Sequence, residues 1–541
     1  MIGKFLKRRL VTAALAGALA LGQMVGLSAA AAGPSAPLQA GEAADHVTFG
    51  VVSDTHVTQT NFTTQARLAE AFRFFSGTSK DPNSSKLDAV CVAGDLTDTG
   101  DALQLGAWSG IMKANLAKDV DLVASMGNHE NNHWKNFENA TGEKANAVYK
   151  INGYTFITIS PGAGTLNPTN MRATLPNTGW YHYIVPWLEK QLKAAEKESP
   201  DKPIFVFFHH PIPNTFYVSH EWNGDGLKDV FKDHPRTVTF AGHIHSPNNN
   251  PLSIWQDGGY TAINTVTLKY FELESGMTYG SVPPNSGNAA QGLVLDVTGN
   301  TVTVYNYDFI SKSWIDQTWT FTTADDPANR NMPYTTKGRT EQAKKPEFKL
   351  GSNIQVNKTG DDGVRVEFNQ AYIPENTVGD IVHSYRYAFV NTATGKTDVT
   401  YKAFSEYYFL PTPRTLVNEI GGLDANAKYE LQIYAIDAYG LESERPLTAG
   451  FQMDASLAKD ALLTREVAKD AELVATTAPL AQGTDLTAQS TNGGAFSEPS
   501  ILPDTGDSGT TAILVVGVLG LAALAAGAVL AVKGRKEDAA A

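Results

Sequence analysis

The chain has 541 residues, of which 42% are hydrophobic, a net charge of −13 and a single cysteine. Its length exceeds what one hydrophobic core usually holds and therefore predicts two or more domains. The acidic balance excludes a broadly basic nucleic-acid-binding surface, so a polyanionic partner has to be met by local charge such as a metal ion. One cysteine excludes an intrachain disulfide, and the apolar run around Cys91 predicts a buried, inert thiol.

The N-terminus has the three parts of a secretory signal peptide. Lys7, Arg8 and Arg9 precede an apolar run that reaches Leu27, and small residues follow it. We therefore predict a signal peptide over residues 1–32, with no fixed cleavage position. A membrane anchor is the alternative, which the small residues and the lack of a basic flank after Leu27 disfavour.

Strand and helix patterns alternate in the first half of the chain, which predicts an α/β domain over residues 46–325. Strands are predicted at residues 47–52, 87–93, 122–126, 204–208 and 237–241. Helices are predicted at residues 65–75, 102–118 and 185–198. Each of these strands ends directly at a polar cluster, and α/β sheets bind ligands at the C-terminal ends of their strands. A functional site is therefore expected where the strands end.

The later part of the chain is mostly β in pattern. A hairpin is predicted earlier, at residues 148–159, and after His245 strands are predicted at residues 261–267, 292–297 and 301–307. Residues 326–349 are polar and predict a linker, whereas residues 350–453 alternate without a helix signal. Residues 429–440 resemble the late strands of a fibronectin type III domain, so an immunoglobulin-like β-sandwich is expected. Residues 454–501 predict a helix followed by a flexible stalk.

The polar residues at the strand ends are types that bind transition metals. They are Asp54, His56, Asp95, Asp98, Asn128, His129, His209, His210, His243 and His245. A single loop histidine is more often a surface residue, so the prediction rests on their co-occurrence. Histidine combined with carboxylate favours divalent Mn, Fe or Zn over Ca or Mg, and the lack of a thiolate ligand excludes a zinc knuckle. So many ligands predict two ions that share one carboxylate.

The same residues form five motifs: Asp54-x-His56, Gly94-Asp95-x-x-Asp98, Gly127-Asn128-His129-Glu130, His209-His210-Pro211 and Gly242-His243-x-His245. Their order resembles the calcineurin-like metallophosphoesterase family over residues 46–325. The resemblance implies an α/β fold, a four-layer sandwich of two β-sheets flanked by helices. In this chain the predicted all-β sandwich comes after that domain. The resemblance also implies a phosphoric ester hydrolase with two divalent metal ions as cofactors.

The resemblance implies a role for each residue. One metal ion takes Asp54, His56, Asp95 and His245, and the second takes Asp95, Asn128, His209 and His243. His129 becomes the general acid and Asp98 the carboxylate that orients it, while a hydroxide that bridges the two ions attacks phosphorus. His209, rather than His210, is taken as the ligand because of its distance to Pro211.

Two departures from the family pattern narrow the substrate class. Thr99 follows Asp98 where Ser/Thr protein phosphatases of the family have arginine, so a phosphoprotein substrate is disfavoured. Asp98 itself stands where purple acid phosphatases have tyrosine, which disfavours a tyrosinate–iron centre. The expected substrates are extracellular phosphate mono- or diesters of nucleotide or phosphodiester type. The alternative is a surface adhesin or binding protein whose metal domain is catalytically silent.

Loops between the motifs carry aromatic side chains, at residues 180–183 and 216–222. Rings beside a metal site can stack a base or a sugar, and we expect His210 and Trp222 to contact substrate. The alternative is a small satellite core beneath a long loop. Three asparagines at residues 248–250 either bind substrate or form a turn, and the turn is favoured.

The C-terminus carries an ordered set of anchoring signals. Leu502-Pro503-Asp504-Thr505-Gly506 is followed by an apolar run at residues 512–532 and then by Lys533, Arg535 and Lys536. At about 1.5 Å per residue the run spans roughly 30 Å, enough for one transmembrane segment. Residues 502–541 resemble a sortase sorting signal of Gram-positive bacteria. The resemblance implies cleavage between Thr505 and Gly506, covalent attachment to peptidoglycan and only transient membrane contact; a permanent single-span anchor is the alternative.

Overall fold

A computed structural model describes residues 45–131, 133–162, 180–219 and 226–453. Several predicted features lie outside the described residues: the signal peptide at 1–32, Trp222, the segment at 454–501, the sorting signal at 502–541 and its transmembrane segment at 512–532. Within the described ranges, no helix is both long and apolar enough to cross a membrane.

The first sheet of the described chain is mixed. Its strands lie in the order β12 (Ser313–Trp314), β11 (Thr301–Asp308), β10 (Gln291–Thr298), β1 (His46–Val52), β2 (Ala89–Ala93) and β3 (Asp121–Ser125), and β13 (Trp319–Thr322) also pairs with β11. Strands β1, β2 and β3 are parallel, whereas β10 runs antiparallel to β1. Strands β1 and β2 are buried along nearly their whole length, which explains their continuous apolar sequences.

The second sheet lies against the first. Its spatial order is β4 (Ala147–Ile151), β5 (Tyr154–Thr158), β6 (Ile204–Phe207), β7 (Thr237–Ala241), β9 (Thr261–Asn264) and β8 (Ile254–Trp255). The four central strands are parallel. Strands β4 and β5 form the predicted hairpin, and its turn residues Asn152 and Gly153 both have positive φ.

Aromatic side chains fill the space between the two sheets. The ring of Phe49 in β1 lies 5.0 Å from that of Phe156 and 4.9 Å from that of Phe205, edge to face in both pairs. Such pairs add about 0.5–1.5 kcal/mol each beyond the area they bury. The shared core therefore fixes the two sheets relative to each other.

Helices cover the outer faces of both sheets. The first sheet packs against α1 (Phe62–Phe75), α2 (Ala102–Asn115) and α3 (Trp134–Thr141), and the second against α4 (Val185–Glu198) and α5 (Leu227–Lys232). Side-chain caps start α1 and α2, because Asn61 accepts from the Thr64 N–H and Asp101 accepts from those of Leu103 and Gln104. The described residues thus form the predicted four layers, and the predicted fold class is confirmed.

Two of these helices are absent from the sequence prediction. Helix α3 has eight residues and α5 has six, so their apolar stripes are too short for helical periodicity to be recognised. The strand predicted at residues 261–267 also ends early, at Asn264. Val266 has a φ of 68°, which lies outside the β region.

Residues 350–453, which we call the C-terminal sandwich, are all β. One sheet holds β14 (Ile354–Lys358), β15 (Val364–Asn369) and β18 (Thr415–Ile420), and the other holds β17 (Lys396–Phe404), β16 (Val382–Asn391), β19 (Lys428–Asp437) and β20 (Leu447–Gln452). Alternate residues of β19 are buried, as the sequence predicts, and the two sheets share one core. The all-β prediction is confirmed, while the fibronectin type III resemblance and the domain boundaries stay predictions. A short helix, α6 (Thr336–Thr340), lies within the predicted linker.

Candidate metal centre

The loops that follow β1, β2, β3, β6 and β7 meet between the two sheets. His209, after β6, places Nε2 at 3.0 Å from Oδ2 of Asp95, after β2. His245, after β7, places Nε2 at 3.1 Å from Oδ1 of Asp54, after β1. His209 Nε2 also lies 3.8 Å from Asp54 Oδ1. The structure therefore brings motifs from both sheets into one site.

Three overlapping groups of side chains have the spacing of a metal site. Their donor atoms lie within 4.8 Å of one another in Asp54–His56–His245, in Asp95–His209–His243 and in His56–Asp95–His129. The first two groups correspond to the two ligand sets that the resemblance implies. The third group shows that His129 is also close enough to Asp95 to share an ion with it.

Asn128 supplies the amide oxygen of the predicted ligand set. Its Oδ1 is buried and has no hydrogen-bond partner among the described residues. The next residue, His129, donates its backbone N–H to Asp95 Oδ1 at 3.1 Å, which holds this loop against Asp95. A buried polar atom without a partner costs about 1–3 kcal/mol, and a bound cation removes that cost. The donor set therefore fits a metal centre.

Hydrogen bonds at Nδ1 orient three of the imidazole rings. His209 contacts the carbonyl of Ala93 at 2.9 Å, His245 that of Tyr270 at 3.0 Å and His56 the carboxylate of Asp98 at 2.9 Å. An N–H at Nδ1 leaves the lone pair on Nε2, which in each ring faces the aspartates. Metal-binding histidines are usually oriented in this way.

The backbone is strained at five of the predicted ligands. Positive φ angles occur at Asp54 (49°), His56 (44°), Asp95 (49°), His243 (74°) and His245 (52°). Residues with a Cβ rarely adopt this region, at a cost of about 1–3 kcal/mol each, and such strain concentrates at functional sites. The strands end by turning these side chains inward.

Two motif glycines allow the loops to approach each other. A Cβ on Gly127 would lie 2.0 Å from Asp95 Oδ1, and one on Gly242 would lie 2.3 Å from Asp54 Oδ2. Any other residue at either position would push the aspartate out of the site. The glycines of the Gly-Asn-His-Glu and Gly-His-x-His motifs are thus explained by packing against the carboxylates.

The two buried aspartates of the centre are held in their anionic form. Burial raises their pKa values, but His245 and His209 hold the pKa of Asp54 below its ordinary value, and His209 and His129 hold that of Asp95 well below it. Although burial lowers the pKa of His209, Asp95 and Asp54 raise it to about 9. The site therefore favours bound positive charge, as two divalent cations would provide.

Asp98 and His129 meet in a different way from the one the resemblance implies. The Asp98 carboxylate accepts from His56 Nδ1 at 2.9 Å and from Lys269 Nζ at 2.8 Å. His129 Nδ1 instead contacts the main-chain carbonyl of Asp98. Burial raises the pKa of Asp98, but the hydrogen bond from His56 and the charge of Lys269 lower it to about 2. We therefore correct the expected pairing: the carboxylate orients His56, and the peptide carbonyl orients His129.

Glu130 is a buried acid to which the sequence assigned no role. Its Oε1 accepts from the N–H and hydroxyl of Thr97 at 2.9 and 2.8 Å, and its Oε2 accepts from the N–H of Gly127 at 3.0 Å. The side chain thus joins the loop after β2 to the loop after β3. Its place as the last residue of the Gly-Asn-His-Glu motif is the signal that pointed to it.

Lys269 and Tyr270 also border the centre and lie outside every motif. Besides the Lys269–Asp98 ion pair, the Tyr270 ring lies 4.5 Å from that of His245. Arg67 fixes the segment by donating to the carbonyls of Leu268 and Lys269 at 3.1 and 2.9 Å. Nothing local in the sequence indicates these contacts, because they join residues far apart in the chain.

His210 lies beside His243, with ring centroids 4.6 Å apart, and is only 1% exposed. The Trp180 ring stacks on it at 4.4 Å, and the Tyr181 hydroxyl accepts from the N–H groups of His209 and His210 at 3.0 and 3.1 Å. Tyr217, like Phe216, is buried in an apolar cluster, which favours the satellite-core interpretation for these two residues. Substrate contacts by His210 and Trp222 stay predictions.

The three asparagines at residues 248–250 are buried and do not face solvent. Asn248 Nδ2 donates to Asn306 Oδ1 at 2.8 Å and to the Asn264 carbonyl at 3.1 Å. Gln291 Nε2 donates to Asn249 Oδ1 at 2.7 Å. The asparagines therefore brace the loop after His245. Cys91 is fully buried, as predicted.

Comparison with known families now adds to this geometry. Residues 47–247 match the calcineurin-like phosphoesterase family, and residues 502–539 match the LPXTG cell wall anchor motif. The chain therefore contains a calcineurin-like phosphoesterase domain and a cell wall anchor. The anchor indicates a surface protein attached covalently to the wall of a Gram-positive bacterium, which confirms the predicted localisation.

Several solved structures are similar to parts of the chain. A conserved uncharacterized protein of Streptococcus pneumoniae TIGR4, a predicted phosphoesterase, is 12% identical over 51% of this chain and 98% of its own, with a TM-score of 0.25. A purple acid phosphatase from yellow lupin (Lupinus luteus) seeds is 12% identical over 52% of this chain and 54% of its own, with a TM-score of 0.34. The FN5 domain of Drosophila Lar is 14% identical over 20% of this chain and 97% of its own, with a TM-score of 0.13. A comparison with curated proteins finds no match.

Proposed function

We propose that the chain is a wall-anchored, dinuclear metal-dependent phosphoesterase. It would hydrolyse extracellular phosphate mono- or diesters of nucleotide or phosphodiester type. The observation that carries the proposal is the meeting of three metal-capable groups at one point, two of which contain Asp95. The family match supports the phosphoesterase chemistry, and the cell wall anchor supports the extracellular location.

Asp54, His56 and His245 would hold one divalent ion, Asn128, His209 and His243 the other, and Asp95 would bridge the two. Bound Mn, Fe or Zn ions supply a Lewis acid for the phosphate oxygens and lower the pKa of a shared water. The protein's part is to keep the ligands in place. The Nδ1 hydrogen bonds, the strained loop backbones and the Glu130 link between loops support that role.

We assign to His129 the role of protonating the departing alcohol. Its Nε2 lies 3.6 Å from Asp95 Oδ2, and its side chain is partly exposed at the centre. Burial lowers its pKa, but Asp95 and the Asp98 carbonyl raise the pKa above its ordinary value overall. An imidazolium fixed at Nδ1 can donate the Nε2 proton to the leaving oxygen. Asp98 would contribute by orienting His56 with its carboxylate.

Hydrolysis of p-nitrophenyl phosphate and bis-p-nitrophenyl phosphate tests the proposal. The purified chain is loaded with Mn, Fe or Zn and measured with and without a chelator. We expect turnover that the chelator abolishes and added metal restores, and the ratio of the two rates distinguishes monoesterase from diesterase activity. Metal-loaded protein without turnover on either ester would favour the surface binding protein with a catalytically silent metal domain.

A further inference from the structure

We propose that the C-terminal sandwich positions the metal ligand His245 and is a working part of the phosphoesterase site. A separate binding module joined by a linker would make few buried contacts with its neighbour. This inference rests on the proposed function, because it concerns the metal affinity of the same centre. The contacts that carry it run from His245 through residues 270–273, which we call the bracing segment, to the sandwich.

The bracing segment holds His245 at two points. His245 Nδ1 contacts the carbonyl of Tyr270 at 3.0 Å, and the His245 carbonyl accepts from the N–H of Glu272 at 3.2 Å. The Tyr270 ring also packs on the imidazole. The orientation and the backbone position of this ligand therefore both depend on where the bracing segment lies.

Phe271, between those two contacts, points the other way and is fully buried. Its ring lies 5.8 Å from that of Tyr408 in the C-terminal sandwich. Phe271 and Leu273 belong to one apolar cluster with Phe404, Tyr407 and Tyr408 of the sandwich. Burying large apolar side chains stabilises their contact, so this cluster fixes the bracing segment against the sandwich.

Hydrogen bonds tie the neighbouring chain to the sandwich as well. Thr278 and Lys402 exchange two bonds, of 3.0 and 2.9 Å, and the Tyr279 hydroxyl accepts from the Phe404 N–H at 2.8 Å. The Tyr217 hydroxyl lies 3.1 Å from Nε2 of His383 in β16, and both residues are buried. The chain segments that follow His209 and His245 thus both contact the sandwich.

The loop directly after His245, at residues 248–254, is also linked to the sandwich. Gln317 Nε2 donates to the carbonyls of Asn249 at 3.3 Å and of Gly379, in the sandwich, at 2.6 Å. Arg339 of α6 is buried and donates to the carbonyls of Pro251 and Ile254. His245 has a positive φ, which is maintained only when the surroundings hold it. The sandwich and the segment before it supply that support.

The test measures Mn²⁺ affinity in the full chain. Tyr408→Leu removes packing on Phe271 without touching any residue of the metal centre. We expect it to raise the Mn²⁺ dissociation constant of the site that contains His245 about 10-fold. This is the lower end of the effect found when residues that orient metal ligands are changed. Phe271→Leu should give a similar loss, and the double variant should lose less than the product of the two, because the side chains act through one contact.

Tyr429→Leu is the matched control, since Tyr429 is buried in the sandwich core away from the bracing segment. It should lower the unfolding temperature without changing either Mn²⁺ dissociation constant. If Tyr408→Leu does not fold, Tyr217→Phe provides the second test, because it removes the hydroxyl contacts with His383 and with the Glu274 N–H. It should raise the Mn²⁺ dissociation constant of the site that contains His245 measurably. Unchanged Mn²⁺ affinity in every folded variant overturns the inference. A wild-type chain that binds no Mn²⁺ would instead overturn the proposed function.

Discussion

His129 lies beside Asp95, with Nε2 at 3.6 Å from Asp95 Oδ2, and its side chain is partly exposed. Its Nδ1 is fixed on the Asp98 carbonyl, and its neighbours raise its pKa. The same residue also belongs to one of the three metal-capable groups. At the residue scale, the question is whether His129 donates a proton or holds an ion.

His129→Ala separates these two roles. As a general acid, His129 contributes roughly 10²–10⁴-fold to turnover of an alkyl phosphate ester, and its loss should leave the metal content unchanged. Turnover of a p-nitrophenyl ester should fall less, because p-nitrophenolate is a stable anion and leaves without being protonated. Turnover on both esters and metal content are measured together. His182→Ala, at an exposed position, is the control and should match the wild type. Loss of one metal ion in His129→Ala would make His129 a ligand.

Single residues also show how far the sequence reaches into the site. Asp54 and His245 could be found because each belongs to a short motif at a strand end. Lys269 and Tyr270 could not, since their contacts with Asp98 and His245 depend on the fold. Asp98 was found, but the partner of its carboxylate was not, because side-chain direction in a loop has no sequence period.

At the scale of elements, the site is made by strand-end loops packed more closely than a Cβ allows. Gly127→Ala places a methyl group 2.0 Å from Asp95 Oδ1. We expect the variant to lose metal binding and turnover, because Asp95 belongs to two of the metal-capable groups. Metal analysis after dialysis and hydrolysis of bis-p-nitrophenyl phosphate measure this.

Gly110→Ala is the control for the same chemical change. Gly110 lies in α2, and its added Cβ meets no atom within 4 Å. Alanine is favoured over glycine in a helix by about 1 kcal/mol, so this variant should be slightly more stable and fully active. Equal metal binding in Gly127→Ala and Gly110→Ala would refute the close-packing explanation.

The C-terminal sandwich contains a buried acid pair, Asp380 and Asp437. Burial and the neighbouring Asp437 raise the pKa of Asp380 from 3.8 to about 8. An acid whose folded-state pKa is raised binds more protons when folded, so its contribution to stability is present at low pH and is lost as pH rises. The unfolding temperature should therefore fall between about pH 4 and pH 8.

Asp380→Asn should flatten this pH dependence and raise the unfolding temperature at pH 8 relative to the wild type. Thermal unfolding at pH 5 and pH 8 measures both effects. Asp361→Asn, at an exposed site in the same sandwich, should keep the wild-type slope. An Asp380→Asn variant with an unchanged slope would exclude the pair as its origin.

At the scale of the whole molecule, the four-layer fold and the all-β region were predictable. The periods of buried strands and amphipathic helices are local, and the five motifs carried the family resemblance. Helices α3 and α5 were missed because they are short. The packing of Phe271 on Tyr408 was missed because it joins residues more than 100 positions apart and leaves no periodic signal.

The wall anchor places the phosphoesterase domain at the cell surface. In the chain the sandwich lies between the phosphoesterase domain and the anchor, and the task we propose for it is to support His245. One face of the sandwich is covered by residues 271–279, which contact Phe404 and Tyr408.

The most direct test of the dinuclear centre is turnover of bis-p-nitrophenyl phosphate measured against the number of Mn²⁺ ions bound per chain. If two ions share Asp95, turnover should be low when one ion is bound per chain and should reach its full value as the second ion binds. Asp95→Asn should weaken the binding of both ions and remove activity. Full turnover with one ion bound, or in the presence of a chelator, would contradict a dinuclear mechanism.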